Sequence, residues 1–225
     1  MRSGSLAGDV NFLGLLSEEV RERVLLGARS FVLPAGTVTA FPPQKPVADM
    51  VESGLVRIFV TSADGRQASF AYVHAGGFYG APTIVGESMP TSVQTLTDTE
   101  LIRLDARHVF ALFEEEFEVA KALAYVMASR IAQSARLVTV RSLGTVRERL
   151  AYDLLERASD QVLYGGAPTL DVTHEELAES IGSAREVIGR TLAGLRREGV
   201  VRSGPSLVEI LDLERLTAIV EGLVE

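Results

Sequence analysis

The chain has 225 residues, 47% of them hydrophobic, and carries 22 Lys and Arg against 30 Asp and Glu, a formal net charge of −8. That length suits two small domains, and the composition is that of an ordinary globular protein. With no cysteine, disulfides, iron–sulfur clusters and Cys-based zinc sites are excluded; His74, His108 and His174 lie too far apart in sequence to show metal-ligand spacing. No cofactor is expected. No apolar run is long enough to span a bilayer, and Met1-Arg2-Ser3-Gly4-Ser5-Leu6 has no signal-peptide core, so the expectation is a cytoplasmic protein without a membrane partner.

The first thirty residues read as helical and amphipathic. Phe12, Leu13, Leu15, Leu16, Val20, Val24 and Leu25 recur near a 3.6-residue period, and Ser17-Glu18-Glu19 supplies an N-cap with first-turn acids. From residue 31 to about 104 the texture changes. Short β-branched or aromatic runs at 31–33, 55–60, 67–73, 92–96 and 101–104 alternate with turn residues such as Pro34-Ala35-Gly36, Asp64-Gly65 and Gly76-Gly77. That spacing predicts an antiparallel sandwich or jelly roll, with a hairpin at Asp64-Gly65.

Residues 105–141 contain neither Gly nor Pro and read as helix. A seam of Ala124, Met127, Ile131, Ser134 and Val138 steps by three and four, while Leu123 and Leu137 lie off it. A helix packed only on its own domain would need one apolar face. Two faces favour a helix that buries one at home and one on a second copy of the chain. Ser142-Leu143-Gly144 then reads as a hinge. Thr145 caps a further helix with Val146, Leu150, Leu154 and Leu155 on one side, and Tyr164-Gly165-Gly166-Ala167-Pro168 reads as a loop.

Two capping boxes follow. Thr173-His174-Glu175-Glu176 opens one helix, with Leu177, Ala178 and Ile181 inward and Gly182 at its end. Ser183-Ala184-Arg185-Glu186 opens another, with Val187, Ile188, Leu192 and Leu195 inward and Gly199 as its stop. Helix, glycine turn, capped helix is a helix-turn-helix. Residues 200–210 read as a small hairpin, which makes the motif winged. Helix pairs with capping boxes are common, and most never touch DNA. The outward face of the second helix distinguishes this one: Arg185 and Arg190 can each donate a bidentate pair to guanine, and Glu186 can accept from cytosine. Glu186 also has the plainer role of completing a cap. From residue 145 onward there are nine Arg against fifteen acids, yet residues 183–197 carry Arg185, Arg190, Arg196 and Arg197 against Glu186 alone. The positive charge is local, so modest non-specific affinity is expected.

Residues 173–200 resemble the DNA-binding segment of the Crp–Fnr family. The family's S-R-E-x-x-x-R recognition helix stands here as Ala184-Arg185-Glu186-Val187-Ile188-Gly189-Arg190, with Ala184 in place of the serine. The resemblance extends to nearly the whole chain through Gly36, Gly54, Asp64-Gly65, Gly76 and Phe78-Tyr79-Gly80. It implies an α+β fold: an effector domain over 1–116 built as a cyclic-nucleotide-binding-type β jelly roll, a dimerisation helix and hinge over 117–143, and a winged helix-turn-helix over 144–225. It also implies double-stranded DNA, a second copy of the chain and RNA polymerase as partners. Arg185, Glu186 and Arg190 would read bases in a GTGA-type palindrome, with Thr173, His174, Ser183 and Arg202 also at the DNA.

The effector side departs from that pattern. In cyclic-AMP-binding members a Glu holds the ribose and an Arg neutralises the phosphate. In an ungapped register those positions fall on Ala81 and Thr91, and no Arg or Lys occurs between Gly80 and Val93. The candidate pocket is therefore Gly80, Ala81, Pro82, Thr91 and Ser92, with Ser134 on the dimer helix. A buried phosphate without its cation is costly, so a different, unknown small-molecule effector, or none, is expected. Haem held by His74 or His108 is the weaker reading, because a lone histidine in a loop or near a helix start is more often a solvated polar residue. A ligand-binding module of the same fold without gene-regulatory activity is the competing function. An enzyme comes last: no nucleophile–base pair or carboxylate dyad is apparent.

Overall fold

The computed structural model describes residues 9–40, 47–85, 87, 90–163 and 167–223. The Pro42-Pro43-Gln44-Lys45-Pro46 loop, Ser88 and Met89 of the cassette, and Tyr164-Gly165-Gly166 lie outside the described residues. Two compact units emerge, one made of Asp9–Val60 with Phe70–Gln133, the other of Thr61–Ser69 with residues from 134 onward.

In the first unit short apolar runs build the strands. They are β1 (Arg29–Leu33), β2 (Val38–Ala40), β3 (Asp49–Ser53), β4 (Val56–Thr61), β5 (Gln67–Val73), β6 (Phe78–Tyr79), β7 (Ser92–Thr95) and β8 (Thr99–Arg103). Of these, β7 and β8 alternate buried and half-exposed residues, while β3 and β4 bury consecutive ones. The strands form two four-stranded sheets, ordered β1-β8-β3-β6 and β2-β7-β4-β5. Val51, Tyr79 and Leu101 from the first sheet meet Val56, Ile58, Val73 and Val93 from the second in one apolar cluster, as a jelly roll requires. On β3 the neighbour of Val51, Met50, joins a second cluster with the helices, so this strand is buried on both faces. Its Asp49 is also buried, held by a bidentate bond from Arg103 at 2.8 and 2.7 Å and by the Tyr79 hydroxyl at 3.1 Å. Burial and the neighbouring charge of Asp49 push the Tyr79 phenol far above its ordinary pKa, so it stays a donor.

The helices here are α1 (Glu18–Val24), α2 (Ala81–Ile84), α3 (Ala106–Glu115) and α4 (Phe117–Leu143). The first thirty residues are not one helix. A 3-10 turn over Leu13–Leu15 precedes α1, and Leu16 turns the chain into extended backbone. Ser17 does not cap α1 through its side chain; its hydroxyl donates to Glu118 at 2.8 Å instead. The helical run beginning at residue 105 also breaks. Glu116 is extended between α3 and α4, and its carboxylate pairs with Arg23. Within α4, Val119, Ala122, Leu123 and Val126 pack into the first unit's core, while Leu137 and Val140 belong to the core of the second. Ala124, Tyr125, Ile131 and Val138 face outward. No helix among the described residues is long and apolar enough to cross a membrane.

The second unit is built from α5 (Val146–Leu163), β9 (Thr169–Asp171), α6 (His174–Ile181), α7 (Arg185–Arg197), β10 (Val201–Ser203), β11 (Leu207–Ile210) and α8 (Leu213–Glu221). Thr145 caps α5 as expected: its backbone N–H donates to the Glu148 carboxylate at 2.6 Å, and its hydroxyl accepts from the Glu148 N–H at 3.3 Å. The hairpin of β10 and β11 gains β9 on its far edge, giving the antiparallel order β10-β11-β9. The α8 helix closes the unit by burying Leu216 and Val220 against the same core as Leu150, Leu154, Leu177, Ile188, Leu192 and Val208.

Candidate nucleic-acid interface

The α6 helix is fixed at both ends. At its start Thr173 accepts from the Glu176 N–H at 3.2 Å, while the Thr173 N–H donates to the Glu176 carboxylate at 2.7 Å. The predicted capping box is present. At its end Gly182 adopts φ 65°, and the Ser183 N–H returns to the Ala178 carbonyl at 2.9 Å. Two cations then satisfy the last carbonyls. Arg141 donates to Ser180 O at 2.9 Å, and Arg149 donates to Ile181 O at 3.4 Å. Neither arginine was singled out in the sequence; each sits on another helix, and only the fold brings them here.

The α7 helix starts differently from expectation. Its N-cap is Ala184, which has no side-chain oxygen, so the second capping box does not form. Ser183 sits one residue too early, and Glu186 has no hydroxyl to answer. The first-turn N–H groups of α7 are therefore left without a side-chain cap. Ile188, Leu192 and Leu195 are buried, and they fix the helix against the core. The 3.6-residue period places Glu186 and Arg190 on the opposite side, and Arg185, three residues before Ile188, stands clear as the first residue of the helix; all three are exposed. Among the described residues none of the three makes a side-chain hydrogen bond or ion pair. Arg196 and Arg197 are exposed at the far end. Glu198, next in line, is taken up by Arg147 of α5 at 2.6 Å, and that guanidinium holds its carboxyl below the usual range.

The other expected contact residues divide. Thr173 is committed to the cap of α6, its hydroxyl also lying 2.8 Å from the Glu176 carboxylate. His174 is half-buried with its ring against α7, its Nδ1 lying 3.7 Å from where a Cβ on Gly189 would stand. Its Nε2 is buried without a hydrogen-bond partner among the described residues. Arg202 is exposed on the wing, but Glu209 stands directly opposite it in the β10–β11 register, and the two form an ion pair.

Gly80, Ala81, Pro82, Thr91 and Ser92 lie in the first unit, and Ser134 in the second. Gly80 has φ 90°, and a Cβ there would lie 1.9 Å from Val47 O, so only glycine fits. Ala81 is part of the apolar cluster with Phe78 and Ile84. Thr91 is buried, and Pro82 is exposed in the first turn of α2. His74, expected to be solvated, is buried. His108 is engaged structurally, its Nε2 lying 2.8 Å from Arg23 O.

Comparison with known proteins agrees with this architecture. Residues 148–219 match the Crp-like helix-turn-helix domain, and residues 47–116 match the cyclic nucleotide-binding domain. The chain is 33% identical over 175 residues to the cyclic AMP receptor protein of Thermus thermophilus, covering 77% of this chain and 79% of that one. It is 29% identical over 206 residues to the transcriptional regulator SdrP of the same organism, covering 91% and 96%. A solved CRP/FNR-family transcriptional regulator from Thermus thermophilus superposes with a TM-score of 0.71 at 28% identity, over 86% of this chain and 98% of that one. A jelly roll, a long helix and a winged helix-turn-helix thus stand in the order shared with these relatives, and the chain belongs to the Crp–Fnr family of DNA-binding transcription regulators.

Proposed function

We propose that this regulator acts as a homodimer reading a pseudo-palindrome of GTGA-type half-sites, and that its effector is not cyclic AMP. The observation that carries the DNA reading is the side-chain set on α7: Arg185, Glu186 and Arg190 are exposed at the N-terminal end of a helix whose Ile188, Leu192 and Leu195 are buried, with no competing partner among the described residues. Arg185 and Arg190 are guanine donors and Glu186 is a cytosine acceptor in the major groove. Thr173, His174, Ser183 and Arg202 position the motif, and the uncapped N–H groups of α7 favour a phosphate close by. The outward stripe of α4 supplies the second copy, and RNA polymerase is the partner through which binding acts.

The effector reading rests on Ala81 and Thr91. Ala81 is an apolar core residue where a ribose-holding carboxylate would be needed, and Thr91 is a neutral buried residue where a phosphate would need a cation. A relative named for binding cyclic AMP sets the alternative to be tested. Selection from random duplex DNA is expected to return GTGA-type half-sites in inverted repeat, and a selection without them overturns the base-reading assignment. Calorimetry with cyclic AMP is expected to show no micromolar binding; a micromolar or tighter Kd overturns the effector assignment and leaves the DNA reading intact.

A further inference from the structure

The Asp9 carboxylate is almost enclosed, with 3% of its side chain exposed. The Arg130 guanidinium on α4 donates to Oδ1 at 2.8 Å, and the backbone N–H of His74 donates to Oδ2 at 2.7 Å. Gly77 clears the wall beside them: a Cβ there would lie 2.8 Å from both Cγ and Oδ2 of Asp9, and 2.6 Å from Val73. Gly77 is not among the residues with positive φ, so space, not backbone conformation, calls for glycine. Arg130 is braced from behind, donating to Tyr72 O at 3.2 Å and to Gln133 at 2.8 Å. All these groups lie in the first unit.

A braced guanidinium, a converging backbone N–H and a bare glycine are the parts of a receptor for a carboxylate or phosphate. With Asp9 in place the crevice has no room for even a water-sized group. We propose that this receptor is an effector subsite for a small anion, and that Asp9 is its resident occupant, which a free carboxylate or phosphate group must displace. The energetic reason is the buried cation. Arg130 without an anion would carry an uncompensated, poorly solvated charge, so an outside anion recovers what Asp9 supplies. The exchange has a structural consequence. Arg130 sits one helical turn before Ser134 on α4, so displacing Asp9 detaches the N-terminal segment from the helix that carries the outward seam.

The experiment is anion rescue on the full chain. Thermal unfolding of wild type, Asp9→Gly and Asp9→Gly/Arg130→Gln is followed in chloride, acetate and phosphate at equal ionic strength and pH. Asp9→Gly should unfold earlier than wild type in chloride and regain about 3 °C or more in acetate or phosphate. Wild type and the double variant should show no such gain, and the two anion arms distinguish a carboxylate from a phosphate receptor. An equal gain in all three proteins, or none in Asp9→Gly, overturns the proposal. Should Asp9→Gly fail to fold, hydrogen exchange on wild type decides. Concentrated acetate or phosphate should speed exchange in residues 9–16 relative to chloride, and unchanged protection there overturns it. Neither readout involves DNA, so either result is independent of the base-reading assignment.

Discussion

Glu186 and Arg190 were legible in the sequence because helix periodicity fixes where they point. Once Ile188, Leu192 and Leu195 are assigned inward, those two follow outward at 3.6 residues per turn, while Arg185 is exposed at the first position of the helix. Arg202 was legible as a wing residue, but its partner was not. Glu209 stands opposite it only in the register that two strands of three and four residues happen to adopt, and strands that short carry no pattern to set a register. The same limit hid Arg130 and Asp9, which are 121 positions apart. These environments predict different phenotypes. Arg185→Ala removes an exposed, unpaired side chain, so stability should change by less than about 0.5 kcal/mol. Discrimination at one base pair of the cognate site should fall by about 1–3 kcal/mol, read by competition against single-base variants. Glu209→Gln should do the reverse on the wing. It frees Arg202 from its ion pair, so affinity should rise for all sequences alike and the salt slope should steepen by about one unit. A sequence-dependent gain would show that Arg202 touches a base edge and not phosphate.

At the scale of elements, what the sequence revealed tracks how strongly each element is patterned. The strand at 67–73 was placed at its observed bounds because turn residues, Asp64-Gly65 before it and Gly76-Gly77 after it, bracket an apolar and aromatic run. Three elements of two or three residues, β2, β6 and β9, were missed, since none is long enough to show a period. β3 was missed for another reason: buried on both faces and opening with the charged Asp49, it shows no alternation at all. The helix break at Glu116 was hidden from the residue pattern because no Gly or Pro marks it, and only the family resemblance began the long helix at 117; the Arg23 ion pair and the extended backbone mark it in the structure. At α7 the pattern misled. Ser183 and Glu186 have capping-box spacing, yet the helix begins one residue later, with Ala184 as N-cap. Ala184→Ser therefore places a hydroxyl where the first-turn N–H groups lack a side-chain acceptor. It should stabilise the second unit by about 0.5–2 kcal/mol, measured by denaturant unfolding with unchanged m-value. Half-site preference should not move, because Arg185, Glu186 and Arg190, the proposed base readers, keep their exposed positions; a changed preference would mean that the cap sets how α7 presents them.

On the scale of the whole molecule, one helix ties the argument together. α4 gives its N-terminal part to the first unit's core, through Leu123 and Val126, and its C-terminal part to the second's, through Leu137 and Val140. What remains is an outward stripe with Ile131 70% and Val138 62% exposed. An apolar stripe on a helix that already has its own core packed is surplus to a monomer and suits a self-complementary contact about a two-fold axis. Net charge points the same way. At −8 overall a single copy concentrates its exposed positive charge on α7, in Arg185, Arg190, Arg196 and Arg197, so its grip on DNA should be weak and salt-sensitive. Two copies engaging half-sites about 34 Å apart convert the second contact into an intramolecular one. Ile131→Glu tests this directly. The side chain is outward, so folding of each chain should be preserved, as judged by an unchanged unfolding profile. Sedimentation should shift from dimer to monomer at micromolar concentration. Affinity for the full palindrome should fall by at least about 100-fold, while affinity for an isolated half-site should stay within about twofold. If the variant remains dimeric and binds the palindrome as wild type does, the contact between copies lies elsewhere than on the outward face of α4.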